Sequence, residues 1–258
     1  IGETEFVQGI AAMSASGQSG SNRVASGIVS FADLSLGDDV KGVLESHMAA
    51  SPNRFRGIRH ATGWHKSKAI RNSHSKPTEG LMSQEGFQQG FSHLAPLGLS
   101  FDAWFYHEQM PEFVALAKAF PETQIVLDHF GGPLGVGPYE NKADEVLRQW
   151  RDLVEPLKNL GNVHFKLGGI NMKVNGFNWH KRPQPPSSDE LVDLTAPYYE
   201  HCIKIFGAQR CMFESNFPVD KDSCSYQVLW NAFKKMSKTI NDQTSELQKT
   251  ASVTEAFH

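Results

Sequence analysis

The sequence predicts an α/β fold built on a parallel sheet. Six short runs rich in apolar and β-branched residues alternate with stretches in which apolar residues recur at helical spacing. Strands that alternate with helices in this way run parallel and are joined by right-handed crossovers. A doubly wound sheet of six strands satisfies the pattern, whereas a closed (β/α)8 barrel needs two more strands.

Each predicted strand is an apolar run that ends at polar residues or at a glycine. The clearest is the fourth, where QIVL runs from Gln124 into Asp128 and His129 before the chain breaks at GGP. The other five strands are predicted at residues 24–31, 55–59, 99–106, 163–167 and 210–213.

The helices between the strands are predicted from apolar spacing and from capping residues. Ser187 and Glu190 form a capping box, and the helix that they begin ends before Gly207. The predicted helices cover 3–16 (with Phe6, Val7, Ile10 and Met13 on one face), a stretch after Asp38, a stretch after Ser83, 111–120, 143–160, 187–206, a stretch from Tyr226, and a final helix from about Asp242.

Composition excludes several classes of protein. Hydrophobic residues make up 40% of the 258 residues and charged residues 21%, which is ordinary for a globular protein. The net charge of −3 favours neither nucleic acid nor membrane as a partner, so a small-molecule substrate is expected. Three cysteines without CxxC spacing predict reduced thiols and a cytoplasmic protein.

Polar residues lie at the ends of the predicted strands or just beyond them, where parallel sheets bind their ligands. They are Asp33, Arg59 with His60, Tyr106 with His107, Asp128 with His129, Lys166, and Glu214 with Asn216. One such residue alone is more often a loop or capping residue than a catalyst. If the strands are parallel, however, all of them meet at one rim.

The groups at this rim suit hydrolysis. His129 can hold a substrate carbonyl or a metal, and a nearby carboxylate can activate water. Arg59 and Lys166 can bind a substrate carboxylate, although Lys166 is equally explained by a salt bridge inside a barrel. The chain contains no HxH, HExxH or GxSxG motif, so neither a complete metal site nor a serine nucleophile can be assembled from it.

Three ordered motifs resemble those of the amidohydrolase-related proteins of the amidohydrolase-2 branch. These are QIVLDHFGGP, VHFKLGGI and RCMFESNFPVDK, and FRGIRHAT and GETEFVQGIAAMSASG are also similar. The resemblance covers nearly the whole chain and is nearest to the lactonase and pyrone-dicarboxylate hydrolase group. It implies a (β/α)8 TIM barrel whose third to eighth strands are the six predicted here, so that residues 1–258 form a single barrel domain lacking its first two strands.

The resemblance also implies roles for individual residues. His129 matches the catalytic, substrate-polarising histidine, which would be a metal ligand only if a metal is bound. Asn216 falls where the family usually has the aspartate that activates water, and Glu214 and Asp220 are the candidates to compensate. Substrate-binding roles are predicted for five residues, with the long loop 170–186 covering the site. They are Arg59, Tyr106, His107, Lys166 and His180.

The resulting hypothesis is a hydrolase for a small carboxylate-bearing lactone, ester or amide. The cofactor is expected to be one divalent metal such as zinc in the full-length protein, or none. Two alternatives remain, a catalytically impaired barrel that serves as a binding or scaffold subunit, and a metal-dependent decarboxylase. Because an arc of six strands leaves two edges unpaired, the isolated chain is expected to aggregate, form a homo-oligomer or borrow strands from a partner.

Overall fold

The computed structural model describes residues 1–17 and 20–247, with 242–247 described by their backbone alone. Its six strands form one parallel sheet in the order β1-β2-β3-β4-β5-β6. The strands are β1 (Ile28–Ser30), β2 (Phe55–Arg59), β3 (Ser100–Ala103), β4 (Ile125–Leu127), β5 (Val163–Leu167) and β6 (Cys211–Phe213). A doubly wound sheet reverses its strand order at a switch point, so this unbroken order is that of a β/α barrel wall.

The predicted helices form, with corrected ends. The helices are α1 (Gly2–Ala15), α2 (Val40–Ala50), α3 (Glu85–Phe91), α4 (Met110–Ala119), α5 (Ala143–Val154), α6 (Ser188–Phe206) and α7 (Tyr226–Leu247). The helix predicted over 143–160 ends at Val154, and a 3-10 turn containing Pro156 follows, because proline cannot donate an intrahelical hydrogen bond. The separate helix predicted from Asp242 is wrong as far as Leu247, since α7 continues through it, and 248–258 lie outside the described residues.

Two strands are shorter than predicted. The run 24–31 forms a strand only over Ile28–Ser30, because Ala25 has a φ of 52° that an extended chain cannot contain. The run 99–106 pairs only over Ser100–Ala103, and the residues after it turn across the rim. The sheet is therefore short, and the polar residues beyond each strand lie in turns.

The core lies between the sheet and its helices. Alternate side chains of the central strands β3, β4 and β5 face the helices and are fully buried, as Phe101, Leu127 and Phe165 are. Phe165 stacks on Phe206 of α6 with a ring-centroid distance of 3.9 Å. The side chains between them face the concave side of the sheet, where Val126 and His164 are half-buried and Val29 is 39% exposed.

Helix α1 packs with the opposite face from the one its apolar residues suggest. Its buried residues are Thr4, Ala11 and Ser14, and the Thr4 hydroxyl bonds Ser30 Oγ at 2.6 Å. Phe6 and Met13 of the apolar face are 69% and 58% exposed. The apolar residues correctly predict a helix, but the small, polar residues make the close contact with β1.

Two expectations from composition can be set beside the structure. Among residues 1–17 and 20–247, no helix has the length and apolar character of a membrane span. Cys202, Cys211 and Cys224 are all buried and unpaired, as expected for reduced thiols.

A closed ring of alternating charges joins the carboxyl ends of four strands. Arg59 of β2 lies 3.2 Å from Asp102 Oδ2 through Nη2 and 2.8 Å from Asp128 Oδ2 through Nε. Lys166 of β5 contacts Asp102 Oδ2 and lies 2.9 Å from Asp128 Oδ1. Both aspartates are almost fully buried, so each has its charge balanced by two cations. We call these four residues the charge ring.

The charge ring predicts a large stability loss when one member is neutralised. Asp102→Asn leaves Arg59 and Lys166 with one carboxylate between them, and breaking a buried ion pair of this kind costs about 3 kcal/mol or more. Asp189→Asn is the matched control, because Asp189 forms a 2.6 Å ion pair with Lys235 at the surface and such pairs contribute about 1 kcal/mol or less. Urea unfolding of both variants measures the difference, and equal losses would contradict the role of the ring.

The exposed apolar face of α1 predicts self-association of the 258-residue chain. Substituting Phe6→Ser with Met13→Ser should reduce the associated fraction, because it removes most of this apolar face. Leu194→Ser is the control, since Leu194 is equally exposed, at 54%, but lies on α6. Size-exclusion chromatography with light scattering reports the mass, and a monomeric parent chain would contradict the prediction.

Candidate active site

Several of the polar residues predicted to share a rim do meet there. All six strands run in the same direction, so their carboxyl ends open on one side of the sheet, which we call the mouth. His129 follows β4 and Glu214 follows β6. The charge ring lies at the same ends of β2 to β5. The structure thus joins His129 to Glu214, and joins Arg59 and Lys166 through Asp102 and Asp128, at the carboxyl ends of the strands.

His129 and Glu214 form an ion pair at the centre of the mouth. His129 Nδ1 is hydrogen-bonded to Glu214 Oε1, and the His129 side chain is only 7% exposed. The Trp104 ring packs edge-on against the imidazole at a centroid distance of 5.0 Å. The structure shows no protein partner for Nε2 among the described residues, so this nitrogen is left for a ligand.

The backbone at His129 is held in an unusual conformation. His129 and Phe130 have φ values of 51° and 59°, in the left-handed region that residues with a side chain rarely occupy. The Phe130 carbonyl accepts a 2.6 Å hydrogen bond from Trp150 Nε1 of α5, and the Phe130 ring packs on Tyr199. Packing from the helical layer thus fixes the turn that aims His129 into the mouth.

Two glycines at the end of β5 make room for the ion pair. A Cβ atom on Gly169, whose φ is 71°, would lie 2.6 Å from His129 Nδ1. A Cβ atom on Gly168 would lie 2.0 Å from the Glu214 carbonyl oxygen. The GG of the VHFKLGGI motif is therefore explained by the close approach of His129 and Glu214.

The pKa values of this pair favour its charged form. Burial alone would lower the pKa of His129, but the Glu214 and Asp128 carboxylates outweigh burial and raise it. Burial alone would raise the pKa of Glu214, but the positive charges of His129, Lys166 and Arg59 lower it. Both shifts favour an imidazolium bound to a carboxylate, the form in which Nε2 carries a proton.

Asn216 is held by a buried carboxylate. Its Nδ2 donates a 2.8 Å hydrogen bond to Asp220 Oδ1, and the backbone N–H of Asp220 donates to the Asn216 carbonyl oxygen at 3.1 Å. Asn216 has a φ of 52°, which asparagine tolerates better than most residues. Burial raises the pKa of Asp220 to about 6, against the opposing effects of the Asn216 hydrogen bond and the His129 charge.

Arg59 and Lys166, predicted to bind substrate, are already paired. Each lies between Asp102 and Asp128 in the charge ring. This is the salt bridge inside the barrel that was the alternative explanation for Lys166. A role in binding a substrate carboxylate stays a prediction for both residues.

Tyr106 and His107 are turned away from the mouth into the rim. The Tyr106 hydroxyl donates to the Arg71 carbonyl oxygen. His107 is fully buried, its Nδ1 accepts a 3.4 Å hydrogen bond from the Leu134 amide, and burial lowers its pKa to about 4. Both residues bind neighbouring loops, and their predicted contact with substrate remains untested.

His180 lies on the long loop, in a 3-10 turn over Trp179–Lys181. Trp179 anchors this turn, because its Nε1 donates a 3.1 Å hydrogen bond to Asn171 Oδ1. Within the described residues, the structure shows no hydrogen bond or ion pair between His180 and His129, Glu214 or the charge ring. Its substrate-binding role stays a prediction.

Sequence reasoning missed Asp102 and Trp104 as members of the site. Asp102 joins the charge ring, and Trp104 packs on His129. Asp102 carried a signal, because a carboxylate in the middle of the apolar run LSFDAWFY is rarely buried without a partner. Trp104 carried none, since an aromatic residue in an apolar strand is ordinary core.

The described residues do not fit a divalent metal. Among residues 1–17 and 20–247, no three His, Cys, Asp or Glu side chains converge as ligands. Glu214 occupies Nδ1 of His129, and the two buried aspartates are already neutralised by Arg59 and Lys166, whose charges would repel a cation. We therefore derive no step through a metal.

Two curated proteins have sequences similar to that of this chain. An uncharacterized protein, y4mH of Sinorhizobium fredii, is 36% identical over 245 residues, which are 95% of this chain and 70% of that protein. L-fucono-1,5-lactonase of Burkholderia multivorans is 28% identical over 153 residues, which are 59% of this chain and 49% of the lactonase. Both relatives are longer than the chain described here.

A solved structure has the same fold. The crystal structure of an amidohydrolase from Burkholderia multivorans with bound zinc superposes with a TM-score of 0.72 at 22% identity. The match covers 99% of this chain and 75% of that protein. The α/β fold and its barrel-type strand order are thereby confirmed.

The family follows from the length of the match. The family model described as Amidohydrolase (Amidohydro_2) matches residues 22–247, which include all six strands and the three motifs at the mouth. The chain therefore belongs to the amidohydrolase family of enzymes.

Proposed function

We propose that this protein hydrolyses a small lactone and that His129 polarises the carbonyl group that water attacks. The observation that carries the proposal is the ion pair between His129 Nδ1 and Glu214, which leaves a protonated Nε2 without a protein partner. A buried imidazolium is a strong hydrogen-bond donor to an oxygen that gains negative charge in the transition state. The lactonase activity of the curated relative supports the choice of an ester in a ring.

Glu214 acts through His129. Its carboxylate accepts from Nδ1, fixes the ring orientation, and stabilises the imidazolium charge. Because one oxygen of Glu214 is engaged in this way, we assign it to positioning His129 rather than to attack on the substrate. The tetrahedral oxyanion would then accept the hydrogen bond from Nε2.

Asn216 orients the attacking water. An amide cannot take up the proton that water loses, so Asn216 serves only to align the water, and the proton passes to the leaving ring oxygen or to solvent. A lactone suits such a site, because opening a ring ester demands less base strength than cleaving an amide. The hypothesis of an amide substrate is accordingly the weaker one.

The charge balance of the mouth favours a neutral substrate over a carboxylate-bearing one. The two cations predicted to bind a carboxylate, Arg59 and Lys166, each already contact Asp102 and Asp128. A second anion would have to compete with two buried aspartates for them. A polyhydroxylated sugar lactone needs hydrogen-bonding groups but no free cation, and we propose this class.

A binding role without catalysis is the second candidate, and Asn216 is the observation that favours it. With an amide where the family usually has a carboxylate, the site could bind a lactone without opening it. Calorimetric binding of L-fucono-1,5-lactone with no acid release over hours would support this role and contradict the first proposal.

His129 should be essential for hydrolysis. Replacing His129 by Asn removes the donor to the oxyanion and should lower kcat on L-fucono-1,5-lactone by about 100-fold or more. His93→Asn is the matched control, because His93 is a surface residue that pairs with Asp38 at 2.8 Å, and it should retain activity within about twofold. Acid release in a pH-indicator assay measures both, and equal rates for His129→Asn and the parent would remove His129 from the mechanism.

The pH dependence should report the charge on His129. Its pKa is raised, so the imidazolium persists below that pKa and activity is lost as the pH rises through it. Glu214→Gln removes the carboxylate that raises this pKa, so the alkaline limb of kcat/KM should move to lower pH. An unchanged or higher alkaline limb in Glu214→Gln would show that the imidazolium is not the active form.

A further inference from the structure

We propose that Asp220 is a positioning residue that fixes the side-chain amide of Asn216, so that Asn216 presents its carbonyl oxygen, a hydrogen-bond acceptor, to the attacking water. This inference deepens the proposed function and rests on it for the identity of the water. It assigns a direction to a neutral residue of the mouth whose side chain can act as either donor or acceptor.

The geometry behind the proposal is a single turn of chain. Residues 219–222 form a 3-10 turn that returns Asp220 to Asn216, and two hydrogen bonds link the pair. Ionised Asp220 can only accept, so the atom of Asn216 that faces it must be Nδ2. The planar amide then directs Oδ1 away from Asp220.

Burial decides which of the two residues meets the substrate. Asp220 is fully buried, whereas Asn216 is partly exposed at the mouth. Asn216 Oδ1 has no protein donor among the described residues. Asp220 thus acts from behind Asn216, and the outward acceptor is free for a water O–H.

The electrostatics place this pair beside the reacting groups. Asp220 feels the charges of both His129 and Glu214. An acceptor at Asn216 and a donor at His129 Nε2 are the two complementary groups that a water and a carbonyl need in order to meet. With the amide reversed, two donors would face the substrate, and the water would lose its partner.

A purely structural role for Asp220 is the competing explanation, since a buried carboxylate also stabilises its own turn. The two explanations differ in one respect. A positioning residue matters only while Asn216 carries an amide, whereas a structural residue matters whatever occupies position 216.

The kinetic test compares Asp220→Asn, Asn216→Ala and the double variant on L-fucono-1,5-lactone. The Asn side chain at 220 can donate or accept, so the Asn216 amide loses its fixed direction, and kcat should fall about tenfold while KM changes less than about twofold. In the Asn216→Ala background the same change should have no further effect. Asp222→Asn, in the same turn but paired with Lys173 at the surface, should behave like the parent.

A spectroscopic test does not depend on activity. At pH 8 the Asn216 side-chain amide, identified as the resonance missing in Asn216→Ala, should show one proton shifted downfield by its bond to the Asp220 carboxylate. That shift should be lost in Asp220→Asn and kept in Asp222→Asn.

Each result decides the proposal. An unshifted Asn216 amide in the parent, or a kinetic loss that is equal in the presence and absence of Asn216, would overturn the positioning role. If no lactone is hydrolysed at all, the proposed function fails, but the amide spectrum still tests the contact between Asp220 and Asn216.

Discussion

The constraint on which the rest of the structure depends is that two buried aspartates must each find two cations. Asp102 and Asp128 face the concave side of neighbouring strands, and Arg59 and Lys166 flank them on the next strands outward. A slip of one residue in any of these strands would move a charge to the side that packs against the helices. The charge ring therefore specifies the register of β2 to β5, in addition to any stability that it contributes, and it does so at the carboxyl end of the sheet.

The same ring sets the protonation of the site. Because Asp128 is committed to Arg59 and Lys166, the partner of His129 Nδ1 is Glu214, from a strand two places away. The cations of the ring lower the pKa of Glu214, and the resulting carboxylate raises the pKa of His129. Asp128 of the ring also raises the pKa of His129 directly, whereas Arg59 lowers it directly and favours the imidazolium only through Glu214. Loss of one ring member should consequently be felt in the protonation of His129 as well as in stability.

Sequence reasoning located the strands and the rim, because both follow from local patterns. Apolar runs that end at polar residues gave all six strands, and the parallel arrangement brought His129 and Glu214 together as predicted. Sequence reasoning could not predict the ion pairs of the charge ring. Asp102 binds Arg59 and Lys166, which are 43 and 64 positions away in the chain. Nor could sequence reasoning give the direction of His107, since a residue after the last strand position lies in a turn, and adjacency to a strand does not determine orientation. The packing face of α1 was not predicted for a similar reason, since the sequence does not say which face of a helix meets the sheet.

On the proposed function, an amide at position 216 changes what the rest of the mouth must supply. With an acid at that position, two effects can lower the activation barrier of hydrolysis. One is deprotonation of the water, and the other is polarisation of the carbonyl group. With an amide there, water can be aligned but not deprotonated, so the reaction depends more heavily on the donor opposite. His129, hydrogen-bonded to Glu214, packed against Trp104 and with its pKa raised by neighbouring carboxylates, is the kind of donor that this situation requires. The amide and the imidazolium are therefore best understood as one device, in which the stronger electrophilic group compensates for the absent base.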